Sequence, residues 1–339
     1  MHFALFATGV VWMVASSIVA GRSAEGIATR FDWLVIQPLL RQGFFLLLLL
    51  VGFTALNWIA IRAGGIRATN ALPTRETAVQ EFRLGGALGW AMLLVTVVPM
   101  VLLRSLHPQF WWAWRAWWLT GVSVLTVALA TLALEVAFRG WLFRQLSGAL
   151  GVSAATVVMS LAYALAVTVR TGIPSGLQLL GTFLLGVVLA MAYVRTHALW
   201  LGWGAHFAWA LAMGVLFGLP VAGQGQYSTV VTTYATGAHW LTGGDFGPEG
   251  SAVAVIVLIG FLPVLYKLTR DYAWLYTHPP IVPGGYPMEA QPPAAHLAME
   301  NAVKPAPLVQ ILGSTPTAPS TMQAVTEHLR ADPADNIPE

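Results

Sequence analysis

Between Glu81 and Asp245 the chain carries a single acidic residue, Glu135. It lies inside an apolar run, Ala130-Thr-Leu-Ala-Leu-Glu135-Val-Ala-Phe-Arg139-Gly140. A charged side chain at the centre of a membrane helix costs about 2.5–3.5 kcal/mol on insertion scales, so such a group faces the bundle interior and takes a partner. Arg139 follows four residues later, one helical turn away on the same face. His206, in Gly202-Trp-Gly-Ala-His206-Phe-Ala-Trp, is the one histidine inside an expected span. A carboxylate and an imidazole together can hold water, take its proton and stabilise an oxyanion. Glu135, Arg139 and His206 are therefore the candidate catalytic residues. The competing expectation is structural: an ion pair that pins the bundle and a satisfied core histidine.

Other chemistries find less support. There are no cysteines, which removes disulfides, thiolate metal sites and thiol nucleophiles. No His-Glu-x-x-His helix, Gly-x-Ser-x-Gly elbow or Walker loop occurs. One intramembrane histidine and one intramembrane carboxylate fall short of the three protein ligands of a catalytic zinc. Ser160 lies in a span with no base beside it. No metal and no cofactor is expected.

These residues need a scaffold, and the composition says which kind. Of the 339 residues 57% are hydrophobic and 9% charged, against roughly 25% charged in soluble domains. So little charge cannot cover a water-facing surface, and lipid must solvate much of the chain. The expected fold is all-α, a polytopic membrane bundle of about eight transmembrane helices. A span needs about 20 apolar residues, and candidates lie at 3–21, 44–61, 85–103, 117–138, 151–169, 176–194, 199–219 and 251–268. The first reads as a spanning helix rather than a signal peptide, since no Lys or Arg precedes it. The fourth continues as an amphipathic helix to about Leu146.

Alternate loops collect Arg62, Arg67, Arg75, Arg83, Arg144, Arg195, Lys267 and Arg270 on one side. The other side has Arg22, Arg30, Arg41, Arg104, Arg115, Arg170 and a long loop, 220–250, without Lys or Arg. The positive-inside rule then puts both termini in the cytoplasm, in a bacterial inner membrane. The formal net charge of +3 comes from arginines at span ends, so it reads as orientation and not as nucleic-acid binding. Phe110-Trp-Trp-Ala-Trp-Arg-Ala-Trp-Trp118 reads as an interfacial belt. Three regions follow: a three-helix membrane region at 1–116, a membrane core at 117–268 and a proline-rich cytoplasmic tail at 269–339. Residues 276–339 bury too little apolar surface to fold alone. Within them, Met322, Val325 and Leu329 share one face of a short helix that Ser320 caps. The tail is expected to be disordered or ordered by a partner, acting as a docking arm.

The motifs carry a resemblance. Glu135-Val-Ala-Phe-Arg139-Gly140 resembles the first signature of the CPBP family, the CAAX-type prenyl endoproteases and bacteriocin-processing-like intramembrane proteases. That signature is two adjacent glutamates, three residues, then arginine. Ser160-Leu-Ala-Tyr163-Ala-Leu-Ala-Val167 falls where the second signature places an aromatic four residues before a histidine. The stretch Gly186 to His206 looks like the lead into the third, a histidine followed four residues later by Asn or Asp. Leu241-Thr-Gly-Gly-Asp-Phe-Gly-Pro-Glu249-Gly resembles the loop before the last helix in bacterial members. The resemblance covers roughly 117–268.

It implies a glutamate and a histidine that polarise an attacking water. Here Leu134, Val167 and Ala210 stand where the family has Glu, His and Asn or Asp. Losing one member of a catalytic unit costs orders of magnitude. The expectation is thus a degenerate site in a non-catalytic scaffold or accessory subunit. Its partners would be lipids and other integral membrane proteins, for example of a respiratory or photosynthetic complex. The alternative is an active intramembrane endopeptidase using Glu135 and His206.

Overall fold

Among the described residues of the computed structural model five helices are long and apolar enough to cross a membrane. The structure describes residues 1–62, 76–111, 113–224, 227 and 230–270. Arg67, Arg75, the tail beyond 270 and its expected 320–330 helix lie outside the described residues.

The chain runs through α1 (His2–Phe31), α2 (Gln37–Arg62), α3 (Ala78–Leu102), β1 (Leu106–Phe110), α4 (Trp114–Glu135) and α5 (Trp141–Leu150). It continues through α6 (Val152–Thr168), α7 (Gly176–Thr196), α8 (Trp200–Leu211), β2 (Val231–Ala235), α9 (His239–Thr242) and α10 (Ala252–Leu268). A π-helical turn, Val136–Gly140, joins α4 to α5 into one rod, and another, Ala212–Leu216, extends α8. The rods at Val152–Thr168, Trp200–Leu216 and Ala252–Leu268 are apolar but shorter than the other five. The chain is an integral membrane protein built from α-helices.

Each expected span has its helix, with differences at the ends. The first runs to Phe31, ten residues past its apolar stretch, because Ser16, Ala20, Ala24 and Ala28 form a buried small-residue row at helical spacing. Charged Arg22 and Glu25 then fall outside that row. The fourth rod reaches Leu150, and Gly151 at φ 84° ends it.

One departure from the all-helical expectation is a two-stranded antiparallel ribbon, in which Leu106 pairs with Ala235 and Phe110 with Val231. It ties the loop after α3 to the loop before α10, so both lie at one end of the bundle. At the opposite end Arg195 donates to the Thr269 hydroxyl at 3.2 Å, joining the last turns of α7 and α10.

Among the described residues two large apolar clusters and a small third one, of Val127, Ala210 and Val215, fill the interior. Met92, Leu189, Trp209 and Leu258 belong to one large cluster, formed by α3, α7, α8 and α10. Leu49, Phe138, Trp141 and Tyr163 belong to the other large cluster, around α2, α4–α5 and α6. Helices in lipid gain nothing from hydrophobic burial against each other and associate by close packing of small residues. The α3–α8 contact shows this: a Cβ on Gly85 would stand 2.1 Å from the Leu201 carbonyl oxygen, and one on Gly204 2.2 Å from that of Phe82. This backbone contact fixes the height of His206, two residues beyond Gly204.

Candidate functional site

Glu135 ends α4 and Arg139 sits in the following π-helical turn. Such wide turns recur at functional sites because the extra residue re-aims the side chains around it. Both side chains are buried, at 0% and 1% exposure. Arg139 donates through Nη1 to Glu135 Oε1 at 3.4 Å and through Nη2 to the Gly186 carbonyl at 3.2 Å. Its guanidinium carbon lies 4.3 Å from the centre of the Tyr163 ring. Shared between a carboxylate, a carbonyl and an aromatic face, the cation is neutralised and stacked.

His206 approaches from α8, its Nδ1 2.7 Å from Glu135 Oε1. The three residues singled out in the sequence therefore converge through one carboxylate oxygen. With Glu135 ionised, Nδ1 is the protonated nitrogen and donates to it. The other ring nitrogen, Nε2, lies 3.4 Å from the Tyr163 hydroxyl. A carboxylate that fixes one face of an imidazole and leaves the other for proton transfer is the orienting arrangement of acid–base sites.

A cavity of about 100 Å³ lies beside this cluster. His206 and Tyr163 line it, Arg41 and Arg170 stand on its wall, and Glu135 does not reach it. Leu134, Val167 and Ala210 line it too. The three apolar departures therefore face the chamber in which the histidine sits. A second, polar chamber of about 370 Å³ shares Arg41, Gln42, Gln224 and Tyr227 with the first. Arg41 and Arg170 lie close enough to repel each other, and burial together with that repulsion depresses the Arg170 pKa.

From the sequence, Glu249 enters only as part of a loop resemblance, with no role in the site. Glu249, in the short 3-10 turn Pro248–Gly250, is 2% exposed and lines the same cavity. It faces His206, Thr182 and Trp209. Among the described residues its Oε1 makes no hydrogen bond of good geometry, and neither does Thr182 Oγ1 or Trp209 Nε1, although both groups stand near the carboxylate. Burial pushes the Glu249 carboxyl above its ordinary range, and the Thr182 hydroxyl, His206 and the Trp209 indole draw it part of the way back. The available signal was faint: an acid one residue before Gly250 and two before Ser251, which caps the final apolar helix by accepting from the Ala254 amide at 3.0 Å. Nothing in a loop's composition tells that its acid folds inward. Among the described residues no group of three His, Cys, Asp or Glu side chains is placed to hold a metal ion.

The Trp belt is exposed where described, with Trp114 at 91% and Trp118 at 70%. Ser160 is buried, and its hydroxyl has no partner.

A family model described as type II CAAX prenyl endopeptidase Rce1-like matches residues 114–212. No curated protein and no solved structure matches the chain. The matched stretch begins with α4 and ends just after α8, so it spans Glu135, Arg139, Tyr163 and His206 but stops short of Glu249. Residues 114–212 are thus similar to the Rce1-like type II CAAX prenyl endopeptidases.

Proposed function

We propose that the protein is a membrane-embedded endopeptidase that hydrolyses a peptide bond in a membrane-anchored substrate. The observation that carries this reading is the 2.7 Å contact between Glu135 and His206, which orients the imidazole at the wall of a cavity. An oriented imidazole at such a wall is placed to exchange protons with a bound substrate or water. The Rce1-like match supports the reaction class. The purified protein, reconstituted in lipid vesicles, is expected to cleave a quenched fluorescent peptide carrying a prenyl group. Glu135→Ala and His206→Ala are expected to lower kcat/KM by roughly 10²–10⁴, the span typical of acid–base groups. Wild-type protein without cleavage above background overturns the reading.

A second reading is a non-catalytic scaffold or accessory subunit of a membrane complex, with the tail 276–339 as docking arm. What favours it is that Leu134, Val167 and Ala210 present apolar groups to the cavity. It predicts no cleavage and stable co-purification with other membrane proteins from mild detergent.

A further inference from the structure

We propose that Glu249 is the catalytic carboxylate of this cavity, activating the attacking water in place of the acid that Leu134 lacks. The inference rests on reading the cavity as a hydrolytic site. Glu135 is ill placed for the task. One of its oxygens is committed to Arg139 and His206, and although Oε2 has no hydrogen-bond partner among the described residues, the side chain does not line the cavity. Glu249 is the one acidic side chain on the cavity wall among the described residues.

Its surroundings fit a polar guest. Buried polar side chains are nearly always hydrogen-bonded. Here three atoms that complete no hydrogen bond of good geometry meet from three elements: Glu249 Oε1 from the loop, Thr182 Oγ1 from α7 and Trp209 Nε1 from α8, the latter two close enough to the carboxylate to lower its pKa. The set holds an acceptor, a hydroxyl that can do both and an indole donor. A water molecule or a peptide carbonyl satisfies it, and an apolar guest does not. Tyr163 lies within charge range of Glu249 from α6, so Tyr163 and His206 are the titratable groups that face it.

The loop is held firmly enough for this role. Gly181 of α7 lets the Glu249 backbone approach, since a Cβ there would stand 2.1 Å from the Glu249 carbonyl oxygen. On the other side, the capped start of α10 begins two residues after Glu249. The backbone of Glu249 is thus set between two helices.

The step balances without a further reactant. The Glu249 carboxylate takes a proton from water as the water oxygen bonds to the scissile carbonyl carbon. Negative charge gathers on the carbonyl oxygen, where the Trp209 indole N–H can stabilise it. On collapse the C–N bond breaks, and the proton held by Glu249 passes to the leaving nitrogen. The products are a carboxylic acid and an amine.

Two measurements test the assignment. In the peptide-cleavage assay, Glu249→Gln is expected to lower kcat by roughly 10²–10⁴ with little change in KM. Glu249→Asp should recover part of that loss, because it keeps the acid but retracts it. Separately, dicyclohexylcarbodiimide added to the wild-type protein in vesicles should form an acylurea on Glu249 and none on Glu135, read by peptide mass mapping. This second measurement does not depend on turnover or on the folding of a variant. Normal cleavage by Glu249→Gln, or an unlabelled Glu249, overturns the assignment and leaves the hydrolytic reading standing. Absence of cleavage by the wild type overturns that reading itself.

Discussion

Glu135 illustrates how a buried charge is kept. Its Oε1 meets both Arg139 and His206, so replacing it with Gln leaves a buried guanidinium facing a neutral amide. Breaking one side of a buried pair costs about 3–5 kcal/mol. Glu135→Gln should accordingly lower the thermal midpoint in detergent, and a midpoint equal to the wild type would show that Gly186 and Tyr163 suffice to hold Arg139. Glu249 behaves in the opposite sense. Burial raises its pKa in the folded state, so the folded protein binds that proton more tightly than the unfolded chain. Its stabilising contribution is fully present below the unfolded carboxylate pKa and is lost as pH rises through the raised folded value. The midpoint of Glu249→Gln should therefore gain on that of the wild type as pH rises across that window, and a pH series of thermal melts measures the difference. A constant difference would mean that Glu249 does not change protonation there.

At the scale of elements, the site depends on two close backbone approaches. Gly85→Ala puts a methyl carbon 2.1 Å from the Leu201 carbonyl oxygen, which forces α3 and α8 apart. Overpacking of this kind costs about 1–3 kcal/mol, and the moved helix carries His206, so activity and stability should fall together. Gly181→Ala acts on the other approach and displaces the loop that bears Glu249. It should depress cleavage and carbodiimide labelling while sparing the α3–α8 contact. Equal labelling in Gly181→Ala and wild type would show that the loop absorbs the methyl group. The helices themselves were legible in the chain, because about 20 apolar residues in sequence have few other options. The ribbon was not: Leu106–Phe110 and Val231–Ala235 are short, 121 residues apart between Phe110 and Val231, and gain strand geometry only from each other.

For the whole molecule, the ribbon puts the loops after α3 and before α10 at one end, the arrangement that an even number of crossings between them requires. The charge on the loops argues that this end faces away from the cytoplasm. Reporter fusions at Gly223 and at Pro316 should then report opposite sides, and the same side for both would refute the topology. Removal of 276–339 separates the two functional readings. An endopeptidase should keep its activity without the tail, whereas a scaffold should lose retention in its complex at raised salt.

The sequence alone determined that the chain spans a membrane as helices, because apolar length and scarce charge leave no other solvent for its surface. It also determined that Glu135, Arg139 and His206 belong together. Two of them are one turn apart, and a lone acid in hydrocarbon must find partners. The tertiary structure decided what surrounds them. Leu134, Val167 and Ala210 prove to share one cavity wall, and Glu249 joins them from a loop 114 residues beyond Glu135. Which side chains close a cavity depends on how separate helices meet, and here that is set by glycine contacts whose partners lie far away in the chain.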